Sequence, residues 1–316
     1  MNNEVTIIGA AIMDIAAGPV PKELFTKGSV PANKMKMSYG GDALNEATVL
    51  SILGVDTSLI SVVGDDEIGN KVLAYLNDKG ISTDNVTVTK GMTTGMNIVL
   101  SDNEGERYFI TNPESSLRKL SLEHILPYVD DLSDIVSFAS IFVSPMLGIT
   151  EMAQLFAKIK EKPGRILISD MTTAKNGEKV DDLKDVLKHI DYLIPNEREA
   201  KLLTGEADPI KNARIFSEYG VKAVVIKCGK DGCVYKVGDE EGFVKTDAIE
   251  AVDTTGAGDS FVAGFIYGLT KGMDIKDCCV FANSVASLVI EDIGTTGNLR
   301  SLEQVLQRKE SLSTRI

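Results

Sequence analysis

Residues 251–264 form a glycine-rich turn followed by an apolar stretch, Ala-Val-Asp-Thr-Thr-Gly-Ala-Gly-Asp-Ser-Phe-Val-Ala-Gly. The glycines at positions 256 and 258 let the backbone N–H groups of Gly256, Ala257 and Gly258 face one point without a Cβ in the way. The apolar stretch predicts a helix, whose N-terminus adds partial positive charge at that point. The turn is therefore predicted to bind an anion, most simply a phosphate group.

Asp259 stands in the first turn of this predicted helix, where its carboxylate would repel the anion that the glycine-rich turn attracts. The repulsion has an explanation if Asp259 takes a proton from a hydroxyl group that attacks a phosphoryl group. A base positioned in this way contributes about 10²- to 10⁴-fold to the rate. The alternative is that Asp259 only caps the helix or complements its dipole.

Other phosphate-binding motifs are absent from the sequence. It contains no G-x-x-x-x-G-K-[ST] loop and no His-Arg-Asp catalytic loop. Residues 9–14, Gly-Ala-Ala-Ile-Met-Asp, follow the first predicted strand but lack the later glycines of a dinucleotide-binding motif. These absences argue against a P-loop nucleoside triphosphatase, a protein kinase and a dinucleotide-binding enzyme.

Three motifs resemble those of the ribokinase-like (PfkB) carbohydrate kinases. Residues 253–261 look like the C-terminal signature of that family, and residues 40–47, Gly-Gly-Asp-Ala-Leu-Asn-Glu-Ala, resemble its N-terminal Gly-Gly signature. Residues 63–69, Val-Gly-Asp-Asp-Glu-Ile-Gly, follow the latter at the usual spacing, and residues 196–205 are similar to the Asn-x-x-Glu element. The motifs stand in the family's order and span essentially the whole chain.

The resemblance implies an ATP-dependent kinase that uses Mg²⁺ and phosphorylates a hydroxymethyl group of a sugar or sugar-like substrate. It implies that Asp259 is the base and that residues 256–258 form the anion hole. It also implies that Asp14, Gly41 and Asn45 contact the sugar. A carboxylate and an amide offer the acceptors and donors that vicinal hydroxyl groups need.

Nucleotide and metal contacts are implied in the same way. Asn196 and Glu199 match the residues that organise magnesium-bound water near the phosphates, and Mg²⁺ commonly keeps several waters. The same two residues also fit the capping box of a helix, and both roles can hold at once. Gly229 matches a strand-end glycine beside the nucleotide, although the residues alone indicate only a turn there.

A monovalent cation such as K⁺ is a further implication. Asp253 and Thr255, with the loop around Gly294, resemble the region where many family members hold one. The match is weaker here, because Asn298 stands where ribokinases often have Ser.

The substrate stays open at this level. The loop Gly-Gly-Asp-Ala-Leu-Asn differs from the Gly-Gly-Lys-Gly-Ala-Asn common in ribokinases and looks closer to ketodeoxygluconate kinases. A sugar acid would need a basic partner, which Arg107 could supply unless it is simply solvated. Nucleoside kinases are a further alternative. A regulator that binds nucleotide or sugar without turnover belongs to a different class, and Asp259 argues against it.

Apolar strands alternate with helical patterns, which predicts an α/β fold with a mostly parallel central sheet. With the resemblance, this becomes a ribokinase-like three-layer sandwich formed by one domain, residues 1–316. Segments 14–39 and 93–112 interrupt the alternation and are expected to form a small β lid, which could also pair two subunits. The second segment predicts a hairpin, with strands at residues 96–100 and 107–110 and a turn at residues 101–105. The alternative is that this hairpin only decorates an edge of the sheet. Strands are predicted at residues 5–9, 57–63, 141–143, 166–168, 192–194 and 224–227, and helices at 44–53, 68–79, 150–160, 181–189, 209–219, 257–270 and 275–290.

The composition argues against two classes of binding partner. The chain has 316 residues and a formal net charge of −13, which argues against binding to nucleic acid or to an anionic membrane surface. Its longest apolar runs are far shorter than the roughly 18 residues of a membrane span. The N-terminus lacks the basic region of a signal peptide, so the protein is expected to be cytoplasmic. The four cysteines have no metal-site spacing and are expected to be buried thiols.

Overall fold

A computed structural model describes residues 4–32, 34–102, 107–246 and 251–313 of the chain. Its strands occur where the sequence has short β-branched runs, and the first two follow each other almost directly. The strands are β1 (Val5–Ile8), β2 (Ile12–Gly18), β3 (Lys34–Gly40), β4 (Thr57–Gly64), β5 (Val86–Thr89), β6 (Met96–Ser101), β7 (Arg107–Thr111), β8 (Ile135–Ile141), β9 (Ile166–Met171), β10 (Tyr192–Leu193), β11 (Ala223–Lys227), β12 (Cys233–Val237) and β13 (Glu240–Val244).

The helices lie between these strands and at the C-terminal end. Several begin at a side-chain cap; for example, Asp66 accepts a hydrogen bond from the N–H of Gly69 at 2.8 Å. The helices are α1 (Leu24–Lys27), α2 (Asp42–Ile52), α3 (Glu67–Asp78), α4 (Leu122–Ile125), α5 (Ile149–Ile159), α6 (Lys184–Leu187), α7 (Glu197–Thr204), α8 (Pro209–Glu218), α9 (Ala257–Thr270), α10 (Ile275–Val289) and α11 (Leu302–Ser313).

The main sheet has nine described strands in the order β13-β12-β11-β10-β9-β8-β1-β4-β5. All neighbours are parallel except β11–β12 and β12–β13. Strand β1 is buried on both faces: Val5 and Ile7 pack in one apolar core and Ile8 in the other. Helices α2, α9 and α10 cover the first core, and α5, α7 and α8 cover the second. The predicted three-layer α/β sandwich is confirmed.

A second, four-stranded sheet stands apart from the main one, in the order β3-β2-β6-β7. Strands β2 and β3 come from the first interrupting segment, and β6 and β7 come from the second. We call these four strands the lid. The predicted turn between β6 and β7 falls largely on residues 103–106, which lie outside the described residues.

Helix α9 packs closely on α10, which fixes the glycine-rich turn at its start. A Cβ on Gly264 would lie 2.9 Å from Ala282 Cα, and one on Gly268 would lie 2.7 Å from Cys278 Sγ. Only glycine therefore permits this approach. The four cysteines are buried free thiols, as predicted.

The strand predicted at residues 166–168 is longer and runs to Met171, and two other predicted elements were wrong in extent. The strand predicted at residues 141–143 runs instead from Ile135 to Ile141. The prediction missed its first residues because Ser137 interrupts the apolar pattern. In the structure the hydroxyl of Ser137 is buried and donates to Glu46 at 2.7 Å. The backbone of Phe142 has φ 73°, which ends the strand. The helix predicted at residues 181–189 is a 3₁₀ turn followed by the short α6. Strands β12 and β13 and helix α11 were not predicted.

None of the described helices is long and apolar enough to cross a membrane.

Candidate active site

The residues predicted to do chemistry meet at the carboxyl ends of the parallel strands, where ligands bind in open α/β sheets. Gly41 follows the lid strand β3 and begins α2, and Asn196 follows β10 and begins α7. Gly229 lies just beyond β11, and Gly256 begins α9. Asp14 comes from the lid, on β2.

Gly256 has the left-handed backbone that the glycine-rich turn requires, with φ 75°. A Cβ on this residue would lie 2.4 Å from the carbonyl oxygen of Thr295. The carbonyl of Gly256 accepts the N–H of Ser260 at 2.8 Å, so the helix begins immediately. Within the described residues, no backbone acceptor takes the N–H of Gly258, which leaves that donor available to an anion.

Asp259 makes its side-chain hydrogen bond across the site and not to its own helix. Asn45 Nδ2 donates to Asp259 Oδ2 at 2.7 Å, and α9 has no side-chain cap. The capping alternative therefore has no hydrogen bond to support it. The pKa of Asp259 is raised to about 7, mainly by burial; the nearby Asp42 and Asp170 contribute to this rise, and Asn45 and Lys227 oppose it. A carboxyl group with this pKa can accept a proton near neutral pH.

Gly41 connects the lid to the base. Its φ is 95°, and a Cβ there would lie 2.5 Å from the carbonyl oxygen of Ala10. This close approach sets the start of α2 and the position of Asn45 in its first turn. Asn45 Oδ1 is buried without a hydrogen-bond partner, so it can accept from a hydroxyl group that enters the site.

Asp14 lies on the lid with a partner that sequence analysis did not assign. Asn97 Nδ2 on β6 donates to Asp14 Oδ1 at 3.0 Å, and Asn97 Oδ1 is buried without a partner. Burial raises the pKa of Asp14, and the bond from Asn97 opposes that shift. The parallel pairing of β2 with β6 brings the two residues side by side, and no sequence motif connects them.

Asn196 and Glu199 form the capping box that their spacing predicts. Asn196 Oδ1 accepts the N–H of Glu199 at 2.9 Å, and Glu199 Oε2 accepts the N–H of Asn196 at 2.9 Å. Burial and the nearby Asp170 raise the pKa of Glu199 to about 7, while Lys227 lowers it. The carboxyl group of Glu199 thus caps its own helix and is close enough to Asp170 and Lys227 for their charges to affect its pKa.

A cavity of about 320 Å³ opens beside the glycine-rich turn. Its wall combines the turn after β11 with the first residues of α9 and one face of α10. Gly229 has φ 55° and begins a 3₁₀ turn at the rim. The lining residues are Asn196, Lys227, Gly229, Lys230, Gly232, Thr246, Ala251, Thr254, Ala257, Gly258, Phe261, Asn283, Ala286, Ser287 and Ile290.

Buried carboxyl groups that sequence analysis missed surround the base. Asp42 accepts the N–H groups of Ala10 and Ala43, and burial raises its pKa to about 6. Burial also raises the pKa of Glu46 well above its ordinary value. Asp170, near the end of β9, pairs with the ammonium group of Lys227.

Asp253 and Thr255 are brought together with the loop around Gly294. Asp253 Oδ1 accepts the Thr255 hydroxyl at 2.6 Å, and Asp253 Oδ2 accepts the N–H of Gly294 at 3.0 Å. On the lid, Lys36 Nζ donates to the carbonyl of Ile293 at 2.8 Å, so an ammonium group already lies beside this loop. Across residues 4–32, 34–102, 107–246 and 251–313, no three His, Cys, Asp or Glu side chains are grouped to hold a metal ion.

The family model of the pfkB family carbohydrate kinases matches residues 2–302. The chain belongs to this family. It is 33% identical over 264 residues to an uncharacterised sugar kinase of Archaeoglobus fulgidus, covering 79% of this chain and 97% of the relative. It is 28% identical to the pseudouridine kinase of Escherichia coli, covering 97% and 96%.

A crystal structure from Escherichia coli, of a protein assigned as a ribokinase II and in complex with ATP and Mg²⁺, has the same fold. The TM-score is 0.82 at 25% identity, with 99% of this chain and 100% of that chain covered. The predicted family, fold and class of enzyme, a phosphotransferase with an alcohol group as acceptor, are confirmed.

Proposed function

We propose that this chain transfers the γ-phosphate of ATP to a hydroxymethyl group of a sugar or sugar-like substrate, with Asp259 as the base. One observation carries the proposal. Asp259 stands in the first turn of α9, directly after the glycine-rich turn, and its carboxylate is held by Asn45 at 2.7 Å. A base, an anion hole and a residue of the Gly-Gly loop thus meet at one place.

The proposed step uses each of these groups once. Asp259 accepts the proton of the substrate hydroxyl, whose oxygen forms a bond to the γ-phosphorus. The bond from that phosphorus to the bridging oxygen breaks, and its electron pair stays with ADP. The N–H groups of Gly256, Ala257 and Gly258 stabilise the charge that is spread over the phosphoryl oxygens in the transition state.

We propose that ATP occupies the 320 Å³ cavity, with Gly229 beside the nucleotide. Asn196 and Glu199 would hold Mg²⁺ through water, and the donor set fits, because Glu199 carries a carboxylate bonded to Asn196, which lines the cavity. When bound, Mg²⁺ neutralises charge on the phosphates. The capping box keeps Glu199 in place for this role.

The sugar is proposed to bind between the lid and α2. Asp14 and Asn97 face it from the lid, and Gly41 and Asn45 face it from the start of α2. The unpaired Oδ1 atoms of Asn45 and Asn97 are acceptors that sugar hydroxyl groups would satisfy. A closed lid would also exclude water, which limits hydrolysis of ATP.

Asp253 and Thr255, with the loop at Gly294, remain the proposed region for a monovalent cation such as K⁺. Its support is that the structure joins these residues by hydrogen bonds. Measuring the rate in potassium, sodium and tetramethylammonium salts at equal ionic strength would test the proposal. Equal rates in all three would contradict it.

Substrate choice lies among a neutral sugar, a sugar acid and a nucleoside. The sugar-acid hypothesis rests on Arg107, whose side chain lies outside the described residues. The nucleoside alternative is supported by the 28% identity to a pseudouridine kinase and by Phe109, 59% exposed on the lid. Val99 of β6 pairs with Phe109, so Phe109 lies on the same lid face as Asp14, where an aromatic ring could stack on a base.

The deciding experiment is an ADP-release assay with ATP and Mg²⁺ over ketohexoses, pentoses, ketodeoxygluconate and nucleosides. We expect one class to give a kcat/KM at least tenfold above the others. A non-catalytic binder would release no ADP with any of them. If ketodeoxygluconate is preferred, Arg107→Ala should lower its kcat/KM and leave that of fructose unchanged.

We also propose that two copies of the chain pair through the lid, and that the protein is cytoplasmic, where ATP is available. The lid carries an apolar outer face, opposite to Asp14, and several of its residues are exposed, including Met35 at 72%. The apolar outer face consists of Met37, Ile15, Ile98 and Ile110 in one row across the strands and Met35, Ala17, Leu100 and Tyr108 in another.

A further inference from the structure

A buried lysine lies among the carboxyl groups of the site. Lys227 ends β11, its side chain is 12% exposed, and its ammonium pairs with Asp170, whose side chain is 7% exposed. Asp170 Oδ1 in turn accepts the N–H of Met171 at 2.8 Å. Buried ion pairs contribute little net stability, because the desolvation of both charges offsets their attraction. The pair therefore calls for a reason other than stability.

The ammonium group of Lys227 also faces the anion hole. A Cβ on Gly258 would lie 3.5 Å from Lys227 Nζ, and both residues line the 320 Å³ cavity. Burial opposes the charged form of Lys227, but the carboxylates of Asp170, Glu199 and Asp259 together raise its pKa above the ordinary value. A fixed positive charge thus lies between the base, the glycine-rich turn and the proposed magnesium side of the site.

We propose that Lys227 donates a hydrogen bond to a non-bridging oxygen of the γ-phosphoryl group during its transfer from ATP, an inference that rests on the function proposed above. Asp170 is then a positioning residue, which holds the ammonium group beside Gly258. The atoms balance as in the step already given: the hydroxyl proton goes to Asp259 and the electron pair of the broken bond goes to ADP. Lys227 stays protonated throughout.

The charge of the site gives the physical reason. Asp42, Asp170, Glu199 and Asp259 are acidic groups close to one another in the site, and in their ionised forms they would repel the phosphates of ATP. A lysine ammonium is a compact point charge, well suited to a phosphoryl oxygen. In a site that excludes water, such a charge stabilises the transition state more strongly than it would in solution.

The kinetic test compares Lys227→Met with the double variant Asp170→Asn/Lys227→Met. We expect kcat to fall by about 10² or more in both, since removal of one preorganised donor costs that much, while the KM for sugar stays within a few-fold. The double variant removes both charges and so leaves no unpaired carboxylate, even if the single variant does not fold. Recovery of wild-type kcat in the double variant would overturn the proposal and leave Lys227 as a counter-ion only.

A binding test separates this inference from the proposed function. Calorimetry on the double variant should show about tenfold weaker binding of β,γ-imido-ATP, the loss of one charge-assisted hydrogen bond, and unchanged binding of ADP. Equal loss for both nucleotides would overturn the proposal. Lys236→Met, on the adjacent β12 with Nζ bonded to Gly238, is the matched control and should change neither. If the wild type phosphorylates no acceptor, the proposed function fails while this comparison still tests Lys227.

Discussion

Asp259 illustrates how single residues set the chemistry of this site. In water its carboxyl group would have a pKa of about 4, whereas in the folded chain that pKa is raised to about 7, mainly by burial and further by the nearby Asp42 and Asp170. The hydrogen bond from Asn45 and the charge of Lys227 oppose the shift. The result is a carboxylate basic enough to accept a proton near neutral pH, held where a substrate hydroxyl would enter.

Asp259→Asn should lower kcat by at least about 10² and leave the affinities for sugar and ATP within a few-fold, because the amide keeps the shape and cannot accept the proton. In the wild type, kcat/KM should fall as the pH drops below about 7, since only the ionised carboxylate acts as a base. Steady-state kinetics and calorimetry measure both quantities. A kcat reduced less than tenfold would contradict the assignment.

The pH dependence of thermal stability is the control for Asp259→Asn, because it shows whether the substitution damages the fold. Because the folded-state pKa of Asp259 is raised, the favourable contribution of its proton is present below the unfolded pKa and is lost as the pH rises through about 7. Asn cannot ionise, so the variant should have a Tm at least equal to that of the wild type at pH 8, and the difference should shrink at pH 5. A lower Tm at both pH values would favour a structural cap.

Asp14 and Asn97 test the sugar side. Asp14→Ala leaves the amide of Asn97 without its partner and removes a hydroxyl contact, at about 1 to 3 kcal/mol for a buried group. Asp14→Ala and Asn97→Ala should each weaken sugar binding about tenfold or more and leave ATP binding unchanged. Titration calorimetry with each ligand measures this. Unchanged sugar affinity in both variants would remove the lid from the proposed sugar site.

At the scale of elements, helix N-termini do most of the positioning. Helix α9 begins at the glycine-rich turn, α2 begins at Gly41, and α7 begins at the capping box of Asn196. All three start at the carboxyl end of the sheet, so their partial positive charges converge on the place where the phosphates are proposed to lie. The close packing of α9 on α10 holds the most important of these starts in place.

Gly256→Ala should destabilise the fold by more than Gly54→Ala. Both residues have left-handed backbones, with φ 75° and 78°, so an alanine costs about 1 to 2 kcal/mol at either position. Only at Gly256 would the new Cβ also meet Thr295, at 2.4 Å, whereas the space around Gly54 is open. Urea denaturation compares the two stabilities, and Gly54→Ala should keep full activity. Equal loss in both variants would show that the turn can relax.

Glu199→Gln separates the two roles of the capping box. Glutamine can still accept the N–H of Asn196, so stability should change by less than about 0.5 kcal/mol. The lost charge should raise the Mg²⁺ concentration needed for half-maximal activity several-fold. Glu199→Ala loses the cap as well and should be less stable. An unchanged magnesium requirement in Glu199→Gln would leave Glu199 with the structural role alone.

For the whole molecule, the lid relates binding to assembly. Its inner face carries Asp14 and Asn97, and its apolar outer face is exposed in a single chain. A second chain that covered the outer face would hold the lid in the position that the sugar site needs. If residues 1–316 form one domain, as proposed, thermal unfolding should show a single transition.

Met35→Glu/Met37→Glu places two charges on the apolar outer face and should convert the proposed dimer to a monomer. Sedimentation velocity measures this directly. Phe243→Glu, at an exposed apolar position on β13, is the control and should leave the assembly unchanged. A wild-type chain that sediments as a monomer at micromolar concentration would contradict pairing through the lid.

The sequence alone determined the class of fold, the family and the local chemistry of the motifs. Residues 253–261, 40–47 and 196–199 are contiguous, and their turn and cap geometries depend on near neighbours, so spacing was enough to predict them. Gly256 has a left-handed backbone at the start of α9, and the capping box of Asn196 forms as its spacing predicts. Strand β8 was misplaced because its buried Ser137 breaks the apolar pattern, and the sequence does not show that the hydroxyl of Ser137 bonds to a distant carboxylate.

Only the tertiary structure decided which of these groups meet. The bond from Asn45 to Asp259 joins residues 214 positions apart, and the pair of Asp170 and Lys227 joins residues 57 positions apart. Neither can be inferred from local pattern, because strand order and helix packing set those contacts. The pKa of Asp259 is decided at the same level, since burial and the charges of remote carboxylates act only once the chain has folded.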